Sequence, residues 1–157
     1  MKILIACETS GTVRNAFLEN GHDAWSCDIL PSDDGSNRHI TEDVRNVLAM
    51  EKWDLLMVAH PPCTRLCNSG VRWLKKAPPG KTLAEMWNDL DEGARLFSDL
   101  WNADIPRVAV ENPVMHKHGK SRIQKVSSRD FPWKATQTVQ PWQFGNDPEG
   151  DNNVTKR

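Results

Sequence analysis

The residues with the most pointed chemistry stand in one segment, Ala59-His60-Pro61-Pro62-Cys63-Thr64-Arg65-Leu66-Cys67. Two prolines restrict the backbone, so the Cys63 thiol is presented in a fixed direction. Such presentation suits a cysteine nucleophile, provided the surroundings favour the thiolate. Basic neighbours are at hand in His60, Arg65, Arg72, Lys75 and Lys76, and no Asp or Glu occurs between Leu55 and Ala84. The expectation is a Cys63 thiol with a depressed pKa. Two other readings of the same residues stay open. One is a buried structural cysteine beside a proline turn. The other is metal binding by Cys63 and Cys67 with His60, a set without a clear fourth ligand.

Three further groups have the right types for ligand binding. Glu111-Asn112-Pro113 offers a carboxyl group able to pair with a ring nitrogen and exocyclic amine of a base, and to donate if burial keeps it protonated. As an isolated pair, Glu-Asn reads equally as a turn or helix cap. Glu8-Thr9-Ser10-Gly11 is a small-residue turn before a helical stretch, with Asp28 following about 20 residues later. That spacing suits a cofactor's backbone approach and ribose hydroxyls, or an ordinary turn and a surface carboxylate. Asp43 has the chemistry to accept from an adenine amino group, or simply to face solvent near a helix start.

The elements that must position these groups alternate between strand and helix. Residues 2–7 and 23–29 read as strands, and residues 53–60 as a nearly continuous apolar strand of the kind buried on both faces. Between them, residues 12–20 put Val13, Phe17 and Leu18 on one helical face, closed by Gly21, and a short helix covers Glu42–Met50. Thr82-Leu83-Ala84-Glu85 has capping-box spacing, and Leu83, Met86, Leu90, Ala94, Phe97 and Trp101 continue it as a long amphipathic helix. A fourth strand begins at Arg107-Val108-Ala109-Val110. This alternation predicts an α/β domain with a parallel sheet. Ligands of such sheets sit beyond the carboxyl ends of the strands, so Glu8, Asp28, His60 to Cys63 and Glu111-Asn112 should converge on one rim. After Asn112 the pattern weakens. Residues 113–135 hold eight His, Lys or Arg against the single acid Asp130, followed by a β-like run at Thr136–Phe144 and an acidic loop at Asn146–Asn153.

Composition bounds the rest. With 157 residues the chain has one domain's worth of core, and 20 Lys+Arg against 21 Asp+Glu leave no global field for nucleic acid or membrane. Its apolar runs fall far short of the roughly 18 residues of a membrane span. The apolar stretch at residues 3–7 is too short for a signal-peptide core. The four unevenly spaced cysteines read as reduced thiols, which predicts a cytoplasmic protein without membrane contact.

Taken together and in this order, the strand-loop-helix start, the second-strand Asp, Pro-Pro-Cys after one strand and Glu-Asn after the next resemble the DNA cytosine-5 methyltransferases. The likeness is to their small phage-type members without a target-recognition domain, and it covers roughly residues 1–113. It implies a Rossmann-like, doubly wound, mostly parallel α/β fold that uses S-adenosylmethionine. Residues 1–157 would form a single domain, with 113–157 reduced or truncated. The resemblance makes Cys63 the nucleophile that attacks cytosine C6 and Glu111 the contact to N3 and the amino group. It places Asp28 at the ribose, Asp43 at the adenine and the backbone around Ser10 and Gly11 near the methionine part, with Glu8 a further cofactor-binding candidate. Pro62, Asn112, Arg65 and Arg72 become substrate-binding candidates, with no metal and with DNA or a nucleotide as partner. Departures are visible too. The first loop is Cys7-Glu8-Thr9-Ser10-Gly11 rather than Phe-x-Gly-x-Gly, Thr64 replaces Gln, Pro113 replaces Val, and no Gln-x-Arg-x-Arg motif occurs. A free nucleotide or single strand as substrate, or a non-catalytic cofactor or nucleotide binder, are the alternatives.

Overall fold

A computed structural model describes residues 1–131 and 134–139. Five parallel strands form one sheet: β1 (Lys2–Ala6), β2 (Asp23–Asp28), β3 (His39–Thr41), β4 (Leu55–Val58) and β5 (Val108–Val110), in the order β3-β2-β1-β4-β5. Ala6 stands beside Cys27 on one side and Val58 on the other, and Val58 beside Val110, so all carboxyl ends share one edge. The chain builds outward from β1 to β3 and then returns to the other side of β1. The order therefore reverses between β1 and β4, the switch point at which open α/β sheets form their ligand crevice.

Burial explains why β1 is central. Ile3, Leu4, Ile5 and Ala6 are fully buried although they point alternately to opposite faces. Helix α1 (Thr12–Glu19) covers one face, with Val13, Phe17 and Leu18 packed on Ile3, Ile5 and Ala24. The other face is covered by α2 (Val44–Val47) and the C-terminal part of α4 (Leu83–Trp101), with Val44, Val47 and Leu100 against Leu4, Leu56 and Val58. A separate apolar cluster joins α4 to α5 (Lys117–Val126) and to Leu66 and Leu74, which border α3 (Asn68–Val71) and the 3₁₀ turn Arg72–Leu74.

The expected elements at 2–7, 12–20, 23–29 and 82–101 are present within a residue or two, and the Thr82–Glu85 capping box is made in both directions. The stretch 53–60 is a shorter strand. Trp53 turns under the sheet and donates from its indole to the Val47 carbonyl at 3.2 Å, while Asp54 accepts from the Lys2 amide. The helix expected over Glu42–Met50 is one turn, because Asp43 caps it at Arg45. Strand β3 and helix α5 were not anticipated. Three edge residues are too few to show a period, and α5 buries only Gly119 and Ile123 within a basic sequence. Thr136–Val139 carry no strand, and the remainder of that β-like run, like the acidic loop, lies outside the described residues. No helix among the described residues is long and apolar enough to cross a membrane.

Candidate functional site on the carboxyl edge of the sheet

Ladder hydrogen bonds continue past the strand ends and fix the rim residues. The Glu8 amide donates to the Cys27 carbonyl at 3.3 Å, the Ala59 amide to Ala6 at 2.9 Å, and the Glu111 amide to Val58 at 3.1 Å. Along the edge this places Asp28, then Cys7-Glu8, then the His60 to Cys63 segment, then Glu111-Asn112. The convergence expected from the strand pattern is observed.

On the β4–β5 side, Cys63 and Glu111 lie within each other's electrostatic reach. The Cys63 thiol is pushed up, first by partial burial, then by Cys67 and by Glu111. The Glu111 carboxyl is raised by burial and partly offset by His60. The expected depression of Cys63 is thus reversed. The sequence suggested a basic surrounding, but Arg65 pairs with Asp89 of α4 at 3.2 Å, Lys81 pairs with the same carboxylate at 3.0 Å, and Arg72 lies over the Trp73 ring. An acid-free stretch of sequence is not acid-free in space. Asn112 donates from its amide nitrogen to the Pro113 carbonyl, while its Oδ1 is buried without a hydrogen-bond partner among the described residues. A carboxyl raised by burial thus lies next to a buried acceptor that no described group satisfies.

Pro62 and Thr64, the neighbours of Cys63, line a groove of about 560 Å³ against α4 that also includes Arg45, Arg65, Gly93 and Arg95. Arg95 makes no ion pair among the described residues. Among the described residues no three His, Cys, Asp or Glu side chains are grouped as a metal site.

On the β1–β2 side the expected cofactor residues are brought together but largely serve one another. Glu8 is 1% exposed, and its carboxylate accepts from the Val13 amide at 2.6 Å and the Arg14 amide at 3.1 Å, with Ser10 Oγ at 3.4 Å. It caps α1 with its own charge, so the helix N-terminus is already neutralised. Glu8, expected to face a ligand, thus engages the chain's own helix start. Gly11 has φ 71°, and an added Cβ would fall on the Arg14 guanidinium and Asp34. The space beside Gly11 is filled by that ion pair, not left for a ligand. Buried Arg14 also donates to Ser26 Oγ at 2.9 Å, which contacts His39 Nδ1, and the His39 Nε2 meets the Leu30 carbonyl. Together with Thr9–Asp33, these bonds strap residues 29–38 down beside the first loop. Asp43 is committed as the α2 cap and pairs with Arg45 at 3.3 Å.

Asp28 is the exception. It accepts the Leu30 amide at 3.0 Å on Oδ1 and has Oδ2 without a partner among the described residues. Beside it Ile29 and Leu30 are 74% and 59% exposed. These two apolar residues were missed, although an apolar pair placed between a strand-end Asp and Pro31 was a visible signal. A free carboxylate oxygen next to exposed apolar surface fits the ribose and flat adenine of a nucleoside.

Family models, curated proteins and solved structures were compared with the chain, and none matches. The functional reading therefore rests on the resemblance in motif order and on this geometry.

Proposed function

We propose that the chain is an S-adenosylmethionine-dependent methyltransferase of Rossmann-like fold acting on C5 of cytosine in DNA through a covalent adduct at Cys63. The observation that carries this reading is the placement of Cys63 and Glu111 at the ends of neighbouring parallel strands, on the opposite side of the β1–β4 switch point from Asp28. When bound, the cofactor supplies an electrophilic methyl group. Asp28 would hold its ribose, and Ile29 and Leu30 its adenine.

The chain's own part is to make a ring carbon nucleophilic. Cys63 sulfur, as thiolate, adds to C6 and breaks the C5–C6 double bond, placing the electron pair at C5. Glu111, biased toward its neutral form, donates to N3, and the Asn112 Oδ1 accepts from the exocyclic amine. After C5 has gained the methyl group, a base removes the C5 proton, the double bond re-forms and the thiolate leaves. In a duplex the base must first leave the stack. Arg72, Lys75, Lys76, Lys117 and Lys125 have no carboxylate partner among the described residues and would meet phosphates, whereas Arg65 is already paired with Asp89.

A raised Cys63 thiol favours a second reading, a nucleotide binder without turnover. Transfer of labelled methyl groups to DNA, RNA and nucleotides separates the two. A DNA containing 5-fluorocytosine should trap Cys63 covalently, because the proton that must leave is missing. Cofactor binding with neither transfer nor a trapped adduct would establish the binder instead.

A further inference from the structure

Cys63 and Cys67 occupy a single turn. The Cys67 amide donates to the Cys63 carbonyl at 3.1 Å, and the Leu66 amide reaches the same oxygen at 2.9 Å. Residues four apart on such a turn hold their Cβ atoms about 5–6 Å apart. A disulfide requires roughly 3.5–4.5 Å, so closure needs a shift on the order of 1–2 Å. The two thiols also lie within each other's electrostatic reach, Cys67 helping to raise the Cys63 thiol. Cys67 is 7% exposed and sits against Ser69 Oγ at 3.0 Å. Its burial works against ionisation, yet hydrogen bonds from the Ser69 side chain and from the Ser69 and Gly70 amides leave the thiol below its ordinary value. Cys63 is the more exposed of the two.

We infer that Cys63 and Cys67 form an oxidation-sensitive dithiol that hydrogen peroxide closes to an intramolecular disulfide, and that this closure withdraws the nucleophile. Cys63 sulfur attacks a peroxide oxygen, the O–O bond breaks, and a sulfenic acid and one water result. Cys67 thiolate then attacks the Cys63 sulfur, and the S–O bond breaks with hydroxide leaving and taking a proton as a second water. Two thiols and one peroxide give one disulfide and two waters. The other two cysteines lack this arrangement. Cys7 is pushed up to about 11 by burial and then by Asp28 and Asp43, and fully buried Cys27 to about 12 by burial and then by Cys7 and nearby carboxylates. Loss of activity on closure rests on the proposed methyl transfer, whereas the disulfide does not.

The test is a brief exposure of the full chain to a few equivalents of hydrogen peroxide, followed by alkylation and peptide mapping. Trypsin cuts after Arg65, between the two cysteines, so the disulfide joins two otherwise separate peptides. The expected product is that joined pair, lighter by two hydrogens and reopened by dithiothreitol. In Cys67→Ser the pair disappears and Cys63 gains oxygen atoms instead. Wild-type protein in which Cys63 gains oxygen while Cys67 stays free, or in which the bond forms at Cys7 or Cys27, would overturn the inference. Peroxide should also stop methyl transfer and dithiothreitol restore it. If the reduced protein transfers no methyl group, the proposed function fails while the mapping still decides the dithiol.

Discussion

The two halves of the carboxyl edge hold similar polar residues and treat them differently. Beside β1 and β2, the Glu8 carboxylate is capped onto α1, Arg14 is shared among Asp34, Ser26 and Asn15, and Asp43 closes α2. Beside β4 and β5, Cys63 and Glu111 are pushed toward their neutral forms, and the Asn112 oxygen has no partner among the described residues. Buried polar groups that satisfy one another build a scaffold. Groups left without partners are where a ligand's hydrogen bonds would add most. The contrast is between a half whose polar groups satisfy one another, with Asp28 as its open group, and a half whose polar groups do not.

The largest effect expected from this contrast is at Cys63. Cys63→Ser should abolish labelled methyl transfer, while Cys67→Ser should retain most of it in reducing buffer. Equal losses in the two variants would erase the distinction between nucleophile and neighbour. Next comes Asp28→Ala, which removes a strand-end carboxylate oxygen without a partner among the described residues. Losing a charged hydrogen-bond partner costs about 1.5–3 kcal/mol, so calorimetry should show S-adenosylmethionine binding weakened roughly ten- to hundred-fold. An unchanged affinity would move the cofactor elsewhere.

Glu8→Gln probes the scaffold itself. The amide replaces an acceptor with a donor facing backbone N–H groups, for a loss of about 1.5–3 kcal/mol. At this chain length that is a melting temperature lower by roughly 3–12 °C. A variant as stable as wild type would show that the cap is dispensable. The smallest effect concerns Asp34, held down to about 2 from 3.8, first by the Ser32 hydroxyl and then by the Ser36 amide and Arg14. A carboxylate lowered on folding stabilises above its ordinary value, and that contribution is lost as pH falls through the folded one. Hydrogen exchange in residues 29–38 should therefore lose protection between about pH 4 and pH 2, and Asp34→Asn should remove the change. A pH-independent loop would mean that Arg14 does not hold it through Asp34.

Most of the architecture was legible because it rests on local signals. Short apolar runs marked β1 and β2, the 3.6-residue apolar period marked α1 and α4, and the Thr82–Glu85 box marked a helix start to the residue. Helix α5 escaped because its burial depends on a partner, α4, that no local window contains. The site was legible as a set of residues at strand ends, since a parallel sheet places all such ends together. What each residue does there was not.

By itself, then, the sequence determined an alternating α/β chain, the rigid Pro61-Pro62-Cys63 presentation and the order of the rim residues, because these depend on spacing along the backbone. Tertiary structure alone decided which charges remain open. Asp89 pairs with both Arg65 and Lys81 from 24 and 8 residues away, and Asp34 fills the face of Gly11 through Arg14. Electrostatic fields and desolvation act through space, so a thiol that looks activated among basic neighbours in sequence is raised, not lowered, by its actual surroundings.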